Sequence, residues 1–325
     1  MPLVSVIMTS YQYERYLAQA IDSVLAQTVA DLELIIVDDG STDHSPQIIR
    51  SYAEKDSRVK PIFIKVNHGI AYAMNTGIDA AEGKFIAFLS SDDIWVPQKL
   101  EGQLKVLEND EDLVVWTEGV IIDAQGKPTG ETFTQVHGSE RRTKSGDIFN
   151  ELLKGNFIFG SSRILKRSNL DGIRWNVNLK YLNDYQFAVD LARKYRFYFL
   201  PEPLTMYRIH GQNTATRDLS GHLIDNIPLG RYFLSQYGDV MENQSRLSIY
   251  DRSIDSLRDL MENENPNRKP LDAALEKIRH YESSLSFRIL KRFHRYFAEP
   301  LLPHGTKRRK LYDHVLFKMR RRFQS

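Results

Sequence analysis

The chain has 325 residues, of which 42% are hydrophobic and 11% aromatic. This length allows one large or two smaller domains with a real core, and the composition shows no bias towards disorder. The absence of cysteine excludes disulfides, thiolate metal sites and a cysteine nucleophile, and is typical of a reducing compartment. No apolar run approaches the roughly 18 residues of a membrane span, and residues 3–8 predict a strand rather than a signal peptide. We therefore expect a cytoplasmic protein.

Two kinds of segment alternate along the first 110 residues. The predicted strands are residues 4–8, 34–37, 59–64 and 85–89. The predicted helices are residues 16–27, a segment with Pro46 in its first turn, and residues 71–81 and 97–107. Alternation of this kind indicates βαβ units and a parallel sheet. The uninterrupted apolar run 85–89 is typical of a strand buried on both faces.

Polar side chains follow three of these strands at the point where each ends. They are Thr9, Ser10 and Tyr11 after the first strand, Asp38 and Asp39 after the second, and Asp92 and Asp93 after the fourth. Parallel strands bring their carboxyl ends to one edge of the sheet, where such folds bind ligands. Each group alone has a structural explanation, as a turn or as the cap of the next helix. Together they predict a nucleoside-diphosphate site with a hard divalent cation.

The remaining chain has a less regular pattern. Residues 113–121 predict a strand, and the Gly-flanked stretch 155–162 is also strand-like. A helix is predicted from residue 187 into Tyr195. Residues 216–325 are expected to be mainly helical, with a break at 263–267.

The formal net charge of +2 conceals an uneven distribution. Residues 287–325 contain twelve Lys or Arg and two acidic residues, a net charge of +10, which leaves −8 for residues 1–286. Residues 286–296 mix apolar and basic side chains, as do helices that lie on anionic bilayers. A solvated charged face packed on the main domain, or a helix that binds a partner, would have the same composition. We expect peripheral docking on an anionic membrane surface through 287–325, at the inner face of the plasma membrane.

Several ordered motifs resemble the successive signatures of glycosyltransferase family 2. They are residues 4–11, 36–43 and 88–95, with 67–69, 75–78 and 81–83 matching in spacing. The resemblance covers roughly residues 3–215. It implies an α/β type A glycosyltransferase fold, a Rossmann-like, mostly parallel central sheet flanked by helices, with a C-terminal helical extension.

The resemblance also implies a division of the chain. Residues 1–215 would be the catalytic domain, with a nucleotide-binding half at 1–110 and an acceptor half at 111–215. Residues 216–325 fall outside the firm part of the resemblance, and their pattern predicts a separate helical and basic region.

Roles for individual residues follow from the resemblance. For the nucleotide sugar it implies contacts from Thr9, Tyr11, Asp38, Asp39, Asn75 and Asp92. Tyr11 would lie against the base, Asp39 would accept from the base N–H, and Asp38 would support the loop. Asp93 would bind Mg²⁺ or Mn²⁺. His210 would be a second ligand of that metal or a contact to the diphosphate, although a lone histidine is also often structural. Ser90 and Met74 depart from the family, which often has Asp and Arg at these positions.

Asp184 aligns with the catalytic base of the family, in a pair whose first member is Asn183 here and usually Glu in the family. The base would take a proton from an acceptor hydroxyl as that oxygen attacks the anomeric carbon. Direct in-line displacement inverts the configuration there, and a metal ion would stabilise the departing nucleoside diphosphate. The alternative is that Asp184 only caps the following helix.

The sequence thus predicts a metal-dependent inverting glycosyltransferase of the bacterial cell-surface polysaccharide type. The expected partners are a UDP- or dTDP-sugar and a saccharide or lipid-linked saccharide acceptor, and no nucleic acid. A Rossmann oxidoreductase is disfavoured because the chain contains no Gly-X-Gly. A degenerate nucleotide-sugar-binding protein with a membrane- or partner-binding tail remains the alternative, because Ser90, Met74 and Asn183 depart from the family pattern.

Overall fold

The computed structural model describes residues 1–138, 144–211, 213 and 219–262. Residues 1–262 form one compact unit. The predicted break at 263–267 and the basic tail at 287–325 lie outside the described residues. Among the helices that the structure describes, none is long and apolar enough to cross a membrane.

Four parallel strands form the N-terminal part of the sheet, in the order β3-β2-β1-β4. They are β1 (Val4–Ser10), β2 (Leu32–Asp39), β3 (Val59–Ile64) and β4 (Phe85–Ser90). The connecting helices are α1 (Glu14–Leu25), α2 (Ser45–Lys55) and α3 (Ile70–Ala80). The predicted strand–helix alternation is confirmed, and the strands β1, β2 and β4 extend further towards their carboxyl ends than predicted.

The second half of the chain continues the same sheet and makes it mixed. Its strands are the short β5 (Ile94–Trp95), β6 (Val114–Ile122), β7 (Pro128–Thr132), β8 (Ile164–Lys166) and β9 (Phe197–Arg208). Strand β8 pairs antiparallel with β4, and β6 lies between β8 and β9. Strand β5 pairs antiparallel with β9, with Ile94 opposite Met206. This pairing brings the segment after β4 next to the end of β9.

Helices cover both faces of the sheet. In addition to α1, α2 and α3, the chain forms the helices α4 (Lys99–Leu107), α5 (Phe133–Val136), α6 (Phe149–Leu153) and α7 (Asn183–Lys194). Successive side chains of β1 point to opposite faces. Val6 and Met8 therefore share a core with Leu17 of α1, whereas Ile7 packs with Ile78 of α3. Burial on both faces explains why these strands consist of nearly continuous apolar runs.

Two further helices complete the compact unit, α8 (Leu219–Tyr237) and α9 (Asn243–Glu262). The predicted helical character is confirmed for this part of the C-terminal region. Phe233 of α8 and Ile249 of α9 are buried in the same hydrophobic cluster as Phe187 of α7. These contacts join residues on the two sides of the domain boundary predicted at residue 215.

The prediction of a strand at 155–162 is wrong. Residues 155–159 have no regular secondary structure, and Gly160–Ser162 form a single 3-10 turn. The apolar side chains are buried as they would be in a strand. However, Ser162 donates both its backbone N–H and its hydroxyl to the carbonyl of Phe159, at 3.1 and 2.8 Å, and this turns the chain.

A close approach at Gly83 gives a test of the packing at the N-terminal end of the sheet. A Cβ on Gly83 would lie 2.5 Å from the backbone nitrogen of Ser5 and 2.7 Å from its hydroxyl. That hydroxyl accepts from the N–H of Gly83 and donates to the carboxylate of Glu33. We predict that Gly83→Ala lowers the free energy of unfolding by about 1–3 kcal/mol, because the crowded atoms are fixed by hydrogen bonds.

Urea denaturation measures this difference. Gly211→Ala is the matched control, because a Cβ at Gly211 meets no atom within 4 Å. Equal stabilities of the two variants would contradict the packing described at Gly83.

Candidate active site

The carboxyl ends of β1, β2 and β4 bring the predicted site residues to one edge of the sheet. Ser10 is opposite Asp38 in the β1–β2 ladder, and Thr9 is opposite Ser90 in the β1–β4 ladder. Tyr11 follows directly and is 44% exposed, so its ring is accessible to a ligand. Thr9, Tyr11, Asp38 and the segment after Ser90 are thus neighbours, as the βαβ pattern predicted.

The two aspartates at the end of β2 differ in what they bind. Asp39 accepts from the backbone N–H groups of His68 (2.9 and 3.1 Å) and Gly69 (2.7 Å), at the start of α3. Asp38 Oδ1 accepts from Ser41 N at 3.0 Å, whereas its Oδ2 is buried and has no partner among the described residues. Asp39 therefore supports the neighbouring loop, a role that was predicted for Asp38. Asp38 is the residue whose second carboxylate oxygen accepts no hydrogen bond from the described residues.

Gln12 joins the loops that follow β1 and β2. Its φ of 60° lies in the left-handed region, which residues other than glycine adopt only rarely. Its backbone N–H donates to Ser41 Oγ at 3.0 Å, and its side-chain amide donates to Thr42 Oγ1 at 2.9 Å. Its Oε1 accepts from the backbone N–H groups of Thr42 and Asp43. The two loops consequently form one hydrogen-bonded unit.

Asp93 is fully enclosed by protein. Its Oδ1 accepts from the backbone N–H of Arg208 at 3.0 Å, and its Oδ2 lies 2.5 Å from the hydroxyl of Ser161. Burial and the neighbouring charge of Asp92 raise the pKa of Asp93 well above its usual value, against the two hydrogen bonds. Both oxygens of the predicted metal ligand are therefore used to join β9 and the 160–162 turn to the end of β4.

Asp92 is the more accessible carboxylate of the pair and is the one that His210 contacts. His210 Nε2 lies 3.1 Å from Asp92 Oδ2, with side-chain exposures of 4% and 13%. The imidazole packs against the ring of Tyr16, with ring centroids 4.9 Å apart. The structure brings His210, predicted as a metal ligand with Asp93, to the aspartates after β4. The histidine's partner is Asp92, however, and not Asp93.

Arg208 connects the segment that contains Asp92 with helix α1. Its side chain is 1% exposed, and its Nε donates to the backbone carbonyl of Asp92 at 2.8 Å. Its Nη2 donates to Gln19 Oε1 of α1 at 2.8 Å. With every face enclosed, this guanidinium orients the Asp92 backbone and does not present a charge to the cleft.

Asp184 lies in the first turn of α7. The N-cap of that helix is Leu182, which makes no side-chain cap, and Asp184 is the second helical residue. Its Oδ2 lies 3.4 Å from the amide of Asn156, and its Oδ1 accepts from the N–H of Tyr185. Burial raises the pKa of Asp184, and the charge of Arg163 opposes this rise. A carboxylate with a raised pKa is a stronger base.

Arg163 is a buried cation whose charge acts on this carboxylate. It is 1% exposed, and its guanidinium carbon lies 5.3–5.8 Å from the ring centroids of Phe88, Trp175 and Phe187. Its Nη2 has no hydrogen-bond partner among the described residues. Burial lowers the pKa of Arg163 to about 10, and Asp184 is the charge that opposes this shift.

Tyr207 shows that the two acidic groups face the same region. Burial raises the pKa of its hydroxyl, and the charges of Asp93, Asp92 and Asp184 raise it further. One stretch of chain, 155–162, also contacts both groups, because Ser161 donates to Asp93 and Asn156 donates to Asp184. Asp184 on α7 and the pair after β4 therefore belong to one site.

Asn75 has a different position from the one predicted. Its side-chain amide donates to the backbone carbonyl of Trp175 at 2.9 Å and accepts from the N–H of Trp175 at 3.0 Å. Asn75 was predicted to contact the nucleotide sugar. Both polar atoms of its side chain instead bind the backbone of Trp175 and connect α3 to the loop before α7.

Sequence reasoning missed Ser161, Asn156, Arg163 and Tyr207 as neighbours of the acidic groups. Ser161 and Asn156 lie within the 155–162 stretch, which was singled out but interpreted as a strand. The pair of glycines that flanks it was a signal for turns at this place.

Comparison with known proteins identifies the family. The family model for glycosyl transferase family 2 matches residues 5–174, just over half of the chain. The chain belongs to glycosyltransferase family 2. An uncharacterized glycosyltransferase of Nostoc sp. is 35% identical over 221 residues, which are 65% of this chain and 66% of that protein. TuaG of Bacillus subtilis, a glycosyltransferase assigned to teichuronic acid biosynthesis, is 32% identical over 209 residues, 64% of this chain and 79% of TuaG.

Solved structures confirm the type A glycosyltransferase fold of this family 2 member. S. aureus TarS 1-349 in complex with UDP aligns with a TM-score of 0.56 and 18% identity, over 82% of this chain and 73% of that one. The mannosyltransferase PcManGT from Pyrobaculum calidifontis, in complex with GDP-Man and Mn²⁺, aligns with a TM-score of 0.56 and 15% identity, over 90% and 84%. The predicted enzyme class, a transferase, is likewise confirmed by the family.

The charge of Arg163 gives a direct test of the Asp184 environment. We predict that Arg163→Met raises the pKa of Asp184 further, because the positive charge that favours the carboxylate is removed. Carboxyl ¹³C NMR titration of aspartate-labelled protein measures this pKa. Arg163→Lys retains a positive charge and is the matched control. An unchanged or lower pKa in Arg163→Met would contradict the proximity of the two groups.

Proposed function

We propose that this family 2 member is a metal-dependent, inverting glycosyltransferase that moves a sugar from a nucleoside-diphosphate donor to a saccharide acceptor. The observation that supports this most directly is that the 155–162 stretch contacts both Asp93, through Ser161, and Asp184, through Asn156. A base and a diphosphate-binding carboxylate pair in one cleft are what a direct displacement at an anomeric carbon needs. No covalent nucleophile is required.

The nucleoside end of the donor is assigned to the edge formed by β1 and β2. Tyr11 offers an exposed ring on which a base can stack. Asp38 Oδ2 is a buried acceptor without a donor, and a buried polar atom of this kind is stabilised by a ligand N–H or hydroxyl. TarS, which shares the fold, is known in complexes with UDP and with UDP-GlcNAc, and we propose a UDP- or dTDP-sugar here.

The metal ion is assigned to Asp92 and His210. In the part of the chain that the structure describes, no three His, Asp or Glu side chains form a metal-binding group by themselves. Asp92 and His210 nevertheless fit a metal ion shared with a diphosphate, since a partly exposed carboxylate oxygen lies 3.1 Å from an imidazole nitrogen. This mixed oxygen and nitrogen pair suits Mn²⁺ better than Mg²⁺, which prefers oxygen ligands. A bound divalent ion would neutralise charge on the departing diphosphate.

Asp184 is assigned as the general base. The carboxylate accepts the proton of the acceptor hydroxyl while that oxygen forms the new bond to the anomeric carbon, and the bond to the diphosphate oxygen breaks on the opposite side. Asn156, 3.4 Å from Asp184 Oδ2, orients the carboxylate. Burial around Asp184 raises its basicity and so favours proton transfer near neutral pH.

The acceptor is proposed to be a growing cell-surface saccharide, free or lipid-linked. TuaG, with its role assigned to teichuronic acid biosynthesis, supports a polysaccharide as the product class. A lipid-linked acceptor would agree with peripheral binding of the basic 287–325 segment to an anionic membrane. That segment lies outside the described residues.

Replacement of the base tests the reaction. We predict that Asp184→Asn reduces transfer by about 100- to 10,000-fold, because the amide cannot accept the proton. Release of UDP from UDP-sugars and of dTDP from dTDP-sugars measures turnover, and calorimetry measures nucleotide binding, which the variant should retain. A wild type that binds UDP but does not turn over any donor would favour the alternative of a degenerate nucleotide-sugar-binding protein.

Replacement of the two aspartates after β4 tests the metal assignment. We predict that Asp92→Asn and His210→Ala lose the Mn²⁺-dependent part of the thermal stabilisation by UDP. Asp93→Asn should retain that part but unfold at a lower temperature without ligand, because its hydrogen bonds to Ser161 and Arg208 are disturbed. Loss of the Mn²⁺ effect in Asp93→Asn alone would instead support Asp93 as the ligand, as the sequence resemblance implied.

A further inference from the structure

The loop immediately before Asp184 is bound by one side chain of α8. Asp225 Oδ2 accepts from the backbone N–H groups of Lys180 at 2.7 Å, Tyr181 at 2.6 Å and Leu182 at 3.4 Å. Asp225 itself is only 1% exposed. Three successive N–H groups therefore converge on one buried carboxylate oxygen.

This arrangement fixes the backbone at the point where it enters α7. The first N–H groups of a helix and those just before it have no partner within the helix. Hydrogen bonds to an ionised acceptor are shorter and stronger than those between neutral groups. Because Leu182 is followed by Asn183 and Asp184, the direction of the Asp184 side chain depends on this backbone.

A second contact from the C-terminal helices acts on the other side of Asp184. Arg252 of α9 donates to the hydroxyl of Tyr185 at 2.8 Å and to the carbonyl of Leu153 at 2.6 Å. The Tyr185 hydroxyl in turn donates to the carbonyl of Leu152 at 2.6 Å. Leu152 and Leu153 belong to α6, which leads directly into the segment of Asn156.

The same helices bind α7 one turn further along. Tyr232 and Tyr237 of α8 donate to the two oxygens of Asp190, at 2.8 and 2.7 Å. Asp225, Arg252 and the two tyrosines thus contact α7 before, beside and after Asp184. All four residues lie beyond residue 174, where the match to the family model ends.

We propose that Asp225 and Arg252 are positioning residues, through which α8 and α9 hold the general base Asp184 in its productive direction. The inference rests on the proposed function, because it requires Asp184 to be the base. Neither residue touches substrate, so both act through the backbone and through Tyr185. Donor binding, which uses the edge formed by β1 and β2, is independent of them.

The test compares full-length Asp225→Ala, Asp225→Asn and Tyr185→Phe with wild type. Turnover is followed as UDP release from UDP-GlcNAc and UDP-glucose, with p-nitrophenyl glycosides as acceptor probes. We expect kcat to fall by about 10- to 100-fold in Asp225→Ala, the loss associated with a displaced catalytic group. Asp225→Asn should be intermediate, because its amide oxygen still accepts hydrogen bonds. Tyr185→Phe, which loses only the hydroxyl bound by Arg252, should lower kcat in the same direction.

Two measurements separate positioning from a loss of folded protein. Calorimetric UDP stoichiometry and affinity should match wild type in each variant, whereas a fall in folded protein would lower the stoichiometry. Hydrogen–deuterium exchange of the peptide containing residues 180–182 should be faster in Asp225→Ala and unchanged in β1. Asp251→Asn, an exposed acid of α9 next to Arg252, is the matched control and should behave as wild type.

The possible results are distinct. A kcat in Asp225→Ala and Tyr185→Phe within twofold of Asp251→Asn would overturn the positioning role, even if exchange at 180–182 becomes faster. If kcat and UDP stoichiometry fell in parallel, the loss of activity would reflect a loss of folded protein, and Asp225 would have a purely structural role. A wild type that binds UDP without releasing it from any donor would overturn the proposed function itself.

Discussion

The buried carboxylate of Asp93 is the contact on which the geometry of the site depends. It connects the end of β4 with the N–H of Arg208 in β9 and with the hydroxyl of Ser161 in the 160–162 turn. A carboxylate removed from water is tolerated only where such donors surround it. Removal of either donor would leave the carboxylate unsatisfied, so the three segments are stable only together. With Asp93 turned inward, the adjacent Asp92 is left at the cleft, where His210 contacts it.

The charges of Arg163 and Asp184 follow a similar logic at longer range. Arg163 is enclosed by three aromatic rings, and Asp184 is the charge that opposes the burial effect on its pKa. The attraction between them weakens only slowly with distance in a medium that contains little water. Asp184 therefore experiences two opposing influences, burial that raises its pKa and a cation that lowers it. Burial prevails, so the carboxylate is more basic than one in water.

Much of the fold was predictable, because its signal is local. Strands β1 to β4 are buried on both faces, so their apolar runs are visible in the sequence, and their polar ends mark the edge where Thr9, Tyr11 and Asp38 meet. Pairing between distant segments leaves no such local signal. The choice between Asp92 and Asp93 depends on which carboxylate Ser161 and Arg208 approach. The position of Asn75 similarly depends on Trp175, a hundred residues away in the chain.

The linkage of two loops through Gln12 has a thermodynamic consequence for the donor edge. A left-handed non-glycine residue costs of order 1–3 kcal/mol, and here that cost arises once, when the protein folds. A nucleotide that enters between already ordered loops loses less conformational entropy on binding than one that must order them. At the proposed donor edge, affinity is thus obtained at the expense of folding stability. A change that loosened these loops would separate the two quantities, making the free protein easier to fold and the bound state harder to form.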